Sequence, residues 1–155
     1  MTETPVFLVR HAKAGSRSRW RGPDEDRPLS KAGHQQAAGI AQLLADPRIT
    51  RIVTSPYLRC HQTVAPLSER LALPVETSDL LSEGTILRDA LRVVEKMSDR
   101  ATVLCTHGDV VEELLDHLAR VGVLEVEARF EKGSTWVLGT EAGEVISARY
   151  LPPPG

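Results

Sequence analysis

The chain alternates short apolar runs, which predict buried strands, with segments whose apolar residues recur at helical spacing. The first run, Val6-Phe7-Leu8-Val9, is β-branched and aromatic, with Pro5 before it and polar residues after it. An uninterrupted apolar run of this kind is typical of a strand that is buried on both faces of a sheet. The pattern therefore predicts a first strand that delivers Arg10 and His11 at its end.

Four helices are predicted from apolar positions three or four residues apart. Ser30 is a typical N-cap for the first and Pro47 ends it, whereas Pro56 suits the first turn of the second and Pro74 closes it. The expected inward faces are Ala37, Ile40, Ala41 and Leu44; Cys60, Val64, Leu67 and Leu71; Leu87, Ala90, Leu91 and Val94; and Val111, Leu114, Leu115 and Leu118.

Further strands are predicted at 49–54, 75–77 and 101–105, and a β-hairpin at 134–139 and 144–150. Strands that alternate with helices favour an α/β fold, here a three-layer α/β/α sandwich with a mostly parallel sheet and a C-terminal β-hairpin. The length of 155 residues suits one domain, and we expect it to span residues 1–155.

Composition adds limits rather than a function. The formal net charge of −2 gives no global sign of nucleic-acid or membrane binding. Cys60 and Cys105 have no partner at metal-ligand spacing, which favours buried thiols in a reducing compartment and no metal site. The N-terminus lacks the features of a signal peptide, and no apolar run approaches the length that spans a membrane. We therefore expect a cytoplasmic protein that needs no cofactor.

Polar residues follow each predicted parallel strand directly. The carboxyl ends of parallel strands form the crevice where open α/β sheets bind ligands, so these residues should converge at one edge. They are Arg10 and His11, Ser55 with Arg59, the loop that holds Glu83, and Thr106-His107-Gly108.

Three of these segments resemble, in order and placement, the signature of the histidine phosphatase superfamily. They are Leu8-Val9-Arg10-His11-Ala12, Thr54-Ser55-Pro56-Tyr57-Leu58-Arg59-Cys60-His61-Gln62-Thr63 and Thr106-His107-Gly108. The segment Asp26-Arg27-Pro28-Leu29-Ser30-Lys31-Ala32-Gly33 resembles the SixA branch, whose proposed substrate is phosphohistidine on signalling proteins. The run Ala12-Lys13-Ala14-Gly15-Ser16-Arg17 is also similar to the phosphatase half of Nudix-phosphatase fusions in actinobacteria, although we find no Nudix half in these 155 residues.

The residue types suit phosphoryl transfer, whose transition state spreads negative charge over the non-bridging oxygens. Arg10 and Arg59 supply planar guanidinium forks that hold phosphate oxygens and keep their charge. We predict that His11, kept neutral by the adjacent guanidiniums, accepts the phosphoryl group, and that water then hydrolyses the phosphohistidine. His107 would donate a hydrogen bond to the transferring oxygens, and Gly108 would let the backbone approach the ligand.

Three assignments keep two interpretations each. Glu83 is the candidate proton donor, or a solvated acid before a helix, with Asp109 as a second candidate acid. Ser55 binds phosphate or caps the helix that starts at Pro56. Arg17 belongs to a stretch from Arg10 to Arg21 that holds five basic residues and no acid; it steers an anionic substrate to the site or lies in a solvated loop.

The leading hypothesis is a SixA-like phosphatase that acts through a phosphohistidine on His11, with a phosphorylated protein as its partner. A small phosphorylated metabolite or nucleotide is the alternative substrate. A phosphate-binding or phosphoprotein-binding module without turnover is the alternative from another class. We expect no nucleic-acid or membrane partner.

Overall fold

The structure, a computed structural model, describes residues 3–125 and 128–155, so that Met1, Thr2, Val126 and Glu127 lie outside the described residues. The strands are β1 (Thr4–Arg10), β2 (Arg51–Thr54), β3 (Val75–Thr77), β4 (Thr102–Thr106), β5 (Thr135–Glu141) and β6 (Glu144–Leu151). The α-helices are α1 (Lys31–Leu43), α2 (Leu58–Leu71), α3 (Leu87–Met97) and α4 (Gly108–Arg120). Short 3-10 turns lie at Asp24–Asp26 and Asp79–Leu81.

The six strands form one sheet in the order β3-β2-β4-β1-β5-β6. The four strands β1 to β4 pair in parallel, whereas β5 runs antiparallel to β1 and β6 runs antiparallel to β5. The carboxyl ends of β1 to β4 therefore meet at one edge, and the amino end of β5 joins them there. We call this the catalytic edge of the sheet.

Strand β1 is buried on both faces because its alternating side chains enter two different cores. Val6 and Leu8 pack with residues of α3 and α4 on one face, and Phe7 and Val9 pack with residues of α1 and α2 on the other. This confirms the prediction from the apolar run and the three-layer α/β/α architecture with its C-terminal hairpin. The hairpin turns at Ala142 and Gly143, whose φ angles of 53° and 83° are those of a tight two-residue loop.

The predicted helices are confirmed, with one shift. Ser30 caps α1 as expected, since its Oγ accepts from Gly33 N at 3.1 Å. Helix α2 begins at Leu58 and not at Pro56, because Ser55 Oγ accepts from Tyr57 N and holds the chain in an extended turn. Within 3–125 and 128–155, no helix combines the length and the apolar character needed to cross a bilayer.

Candidate active site

His11 follows β1 directly at the catalytic edge and is 6% exposed. Its Nδ1 lies 2.8 Å from the carbonyl oxygen of Ala12. A carbonyl oxygen only accepts, so Nδ1 carries the ring proton and the lone pair remains on Nε2. This is the tautomer that a nitrogen nucleophile requires.

Several causes keep the His11 ring neutral. Burial lowers the pKa of His11 to about 3, opposed by the hydrogen bond to Ala12 and reinforced by His107, Arg59 and Arg10. From the sequence, only the adjacent guanidiniums were expected to keep the ring neutral. In the structure, burial is the largest cause of the lowered pKa. At neutral pH the Nε2 lone pair is therefore available for attack on phosphorus.

His107 lies at the start of α4, with its ring centroid 5.5 Å from that of His11. Its Nε2 lies 2.8 Å from Ser55 Oγ, and Ser55 Oγ itself accepts from Tyr57 N at 3.3 Å. With the serine hydroxyl as the donor to Nε2, the ring proton lies on Nδ1. That Nδ1 is buried and has no hydrogen-bond partner among the described residues.

Arg10 is held at the end of β1 by its own Nη1, which donates to the carbonyl of Phe130 at 2.7 Å. Its Nε is buried and has no partner in the described part of the chain. Gly108 makes room for this guanidinium, since a Cβ at that position would lie 2.6 Å from Arg10 Cζ. Gly108 of the third motif therefore leaves space for the Arg10 side chain, in addition to any close approach of the backbone to a ligand.

Arg59, in the first turn of α2, is fully buried. Its Nη1 donates to the backbone oxygen of Asp24 at 2.9 Å, and its Nη2 to Asp24 Oδ2 at 3.0 Å and Glu83 Oε2 at 3.3 Å. Its Nε, like that of Arg10, has no partner within the described ranges. The carboxylates fix the guanidinium plane, and two of its five N–H donors, one on Nε and one on Nη1, make no hydrogen bond with the described residues.

Arg10, His11, Arg59 and His107 border one cavity of about 480 Å³. Buried donors without partners are costly, and three of them belong to residues that border this cavity. The positive charge of the two guanidiniums suits an anion with several oxygens, bound beside the free lone pair of His11. The arrangement is suited to binding a phosphoryl group and transferring it to His11.

The remaining candidate residues take different positions. Glu83 and Arg17 both border the cavity and are joined by Arg17 Nη2 and Glu83 Oε1 at 3.3 Å, although the Arg17 side chain is 67% exposed. Ser55 contacts the ring of His107, as described above. Asp109 Oδ2 accepts from Gly84 N at 2.7 Å and so ties the Glu83 loop to α4.

Two residues of the site were missed by sequence reasoning. Asp24 is the anionic partner of Arg59, and its carboxylate also accepts from Arg27 Nε at 3.0 Å. Lys132 borders the same cavity from the connection before β5. Lys132 could have been found by placing the hairpin antiparallel to β1, because the amino end of β5 then lies at the catalytic edge.

Comparison with known proteins gives the family. The model for the histidine phosphatase superfamily (branch 1) matches residues 6–88, which include Arg10, His11, Arg59 and Glu83. The chain belongs to the histidine phosphatase superfamily. The activity and the substrate of this chain are separate questions.

The chain is similar to two relatives with different substrates and to one solved structure. The chain is 38% identical over 156 residues to the 8-oxo-(d)GTP phosphatase of Mycolicibacterium smegmatis, covering 96% of this chain and 48% of that protein. It thus spans about half the length of that relative. It is 30% identical over 124 residues to the phosphohistidine phosphatase SixA of Escherichia coli, covering 79% of this chain and 72% of that protein.

The fold is similar to that of a protein from Agrobacterium tumefaciens assigned to the SixA phosphohistidine phosphatases. The TM-score is 0.75 at 26% sequence identity, over 97% of this chain and 99% of the other. This supports the three-layer fold over nearly the whole chain.

Proposed function

We propose that this domain hydrolyses phosphorylated substrates through a covalent phosphohistidine on His11. The observation that carries the proposal is the unprotonated Nε2 of His11 in one cavity with Arg10, Arg59 and His107, whose Nε and Nδ1 donors are unpartnered among the described residues. A module that only binds phosphate would need the donors but not the neutral nucleophile.

The reaction has two steps. In the first, the lone pair of His11 Nε2 forms a bond to phosphorus while the bond from phosphorus to the leaving group breaks, and the leaving group takes up a proton from solvent or from a nearby acid. In the second, water attacks phosphorus and gives up a proton to solvent, the bond from phosphorus to nitrogen breaks with its electron pair returning to Nε2, and inorganic phosphate leaves a neutral His11. Arg10, Arg59 and His107 stabilise the charge that spreads over the equatorial oxygens in both steps.

Phosphohistidine on a protein is the substrate supported by the similarity to SixA proteins. An imidazole leaving group is less basic than an alkoxide, so this substrate depends little on an acid. This is compatible with a site in which both oxygens of Glu83 accept from guanidiniums.

A nucleotide is the second candidate, supported by the 38% identity to an 8-oxo-(d)GTP phosphatase over 96% of this chain. Basic residues at the rim of the cavity, among them Arg17 and Lys132, favour the same class because they suit an anionic leaving group.

Brief exposure to an aryl phosphate followed by an alkaline quench tests the mechanism. We expect an acid-labile phosphate that peptide mass spectrometry places on His11. His11→Ala should lose both the label and turnover, whereas His34→Ala, at an exposed position of α1, should keep both. Turnover by His11→Ala at the native rate would overturn the proposal. A panel of phosphohistidine protein, nucleotides and phosphate esters, ranked by kcat/KM, then decides between the two substrates.

A further inference from the structure

Lys132 borders the active-site cavity and forms no salt bridge with an acid of residues 3–125 and 128–155. It borders the cavity together with His11 and Arg17. No carboxylate of the described residues lies within 4.0 Å of its ammonium group, and the adjacent Glu131 is paired with Arg129 at 2.7 Å instead. The ammonium charge is therefore available to a ligand.

The backbone around Lys132 is fixed to the catalytic strand. Gly133 N donates to the carbonyl oxygens of Arg10 and His11 at 3.2 and 3.0 Å. Gln36 Nε2 donates to the carbonyl of Lys132 at 3.2 Å. Lys132 is consequently held beside the nucleophile and does not belong to a freely moving loop.

The electrostatic surroundings of Lys132 are strongly positive. Burial and the charges of Arg10, Arg27, Arg17 and Lys13 lower the pKa of Lys132. Such crowding of like charges is unfavourable in the free protein and becomes favourable when an anion lies among them.

The acids that border the same cavity interact with groups other than Lys132. Glu83 accepts from Arg17 and Arg59, and Asp109 accepts from Gly84 N. The negative charge of Glu112 raises the pKa of Arg10, although burial lowers this pKa by more.

A second cation, Lys13, lies in a groove that Lys132 also borders. This adjoining groove has a volume of about 430 Å³, and Gln36, Glu131 and the C-terminal Gly155 also line it. Lys13 has no carboxylate within 4.0 Å among the residues that the structure describes. A substrate that extends from the cavity into this groove would therefore meet both ammonium groups.

We propose that Lys132, with Lys13 behind it, binds a second anionic group of the substrate next to the phosphoryl group that His11 receives. This inference rests on the proposed function and narrows its substrate class. In a phosphoanhydride such as a nucleoside diphosphate or triphosphate, the penultimate phosphate is bonded to the phosphoryl group that is transferred. This phosphate would be the second anionic group, the one that Lys132 binds. The imidazole of a phosphohistidine side chain offers no second anion there.

Competition between two non-hydrolysable phosphonates tests the proposal. Methylphosphonate presents one anionic group, and methylenediphosphonate presents two in the arrangement of an anhydride. We expect methylenediphosphonate to inhibit aryl phosphate turnover at about a fivefold lower concentration, the upper end for an ion pair at an exposed site. Lys132→Gln should reduce this ratio to about one, and Lys132→Arg should restore most of it.

The matched control is Lys96→Gln, which removes the same charge from an exposed position at the end of α3 and should keep the native ratio. An equal ratio in the native protein and in Lys132→Gln would overturn the proposal, as would a native ratio of one. If aryl phosphate is not hydrolysed at all, the proposed function fails, and calorimetric binding of the two phosphonates still decides the role of Lys132.

Discussion

Ser55 Oγ lies 2.8 Å from His107 Nε2 and links the second motif of the family signature to the third. The hydroxyl also accepts from Tyr57 N, which leaves its own proton for the imidazole. With this hydroxyl as the donor, His107 takes the tautomer in which Nδ1–H is the free donor. Neither a phosphate ligand nor a helix cap alone describes this position.

Removal of the Ser55 hydroxyl should slow phosphoryl transfer. In Ser55→Ala the His107 ring is no longer held in one tautomer, and we expect kcat to fall about tenfold, the cost of one hydrogen bond to an essential group. Ser98→Ala is the control, because it removes a buried hydroxyl that donates to the Glu95 carbonyl at the end of α3, outside the active site. A kcat within twofold of the native value, in a variant with unchanged Tm, would contradict the role given to Ser55.

The low pKa of His11 should make the protein less stable in acid. Native His11 has a pKa of about 3, whereas an unfolded histidine has its ordinary value of 6.5. Between these values the unfolded chain binds more protons, so the free energy of unfolding falls as the pH decreases from about 6 to about 4, by about 1 kcal/mol per pH unit from this residue.

Urea unfolding at several pH values measures this effect. We expect the difference in stability between pH 7 and pH 4.5 to be smaller in His11→Gln than in the native protein. His34→Gln, which changes an exposed histidine of α1, should follow the native curve. Parallel curves for the native protein and His11→Gln would show that the ring is not held neutral by the fold.

The sequence predicts the central part of the site because its residues follow regular elements. Arg10 and His11 end an apolar strand, Arg59 lies in the first turn of a helix, and His107 directly follows another buried strand. A parallel sheet necessarily brings these positions to one edge.

Asp24 and Lys132 were not predictable in the same way. Both lie in irregular connections, whose course is determined by contacts made only after folding. Asp24 meets Arg59 across 35 residues, and no local periodicity encodes that pairing. In the structure, Asp24 of the long connection after Lys13 thus supports a residue of the site.

Asp24 should contribute to stability through Arg59. Burial raises the pKa of this carboxyl, but hydrogen bonds from Arg27 and Arg59 outweigh it and lower the pKa below its usual range. Asp24→Asn leaves the buried Arg59 charge with one fewer anionic partner, and we expect the free energy of unfolding to fall by about 2 kcal/mol. Asp26→Asn, an exposed change in the same short turn, should cost less than about 0.5 kcal/mol. Equal effects of the two changes in urea unfolding would exclude the pairing as a source of stability.

Glu83 can be tested as a proton donor with two leaving groups. Its Oε1 accepts from Arg17 and its Oε2 from Arg59, both at 3.3 Å, which is the arrangement of a carboxylate that positions guanidiniums. We therefore expect Glu83→Gln to reduce kcat/KM by a similar factor for an alkyl phosphomonoester and for a phosphoramidate, since both need Arg59 in place. A general acid would matter much more for the alkoxide, by about 10²-fold or more. Asp109→Ala is the companion variant, because it removes the acceptor of Gly84 N and so loosens the Glu83 loop while the Glu83 carboxylate is kept. A selective loss on the phosphomonoester in Glu83→Gln alone would return the proton-donor role to this residue.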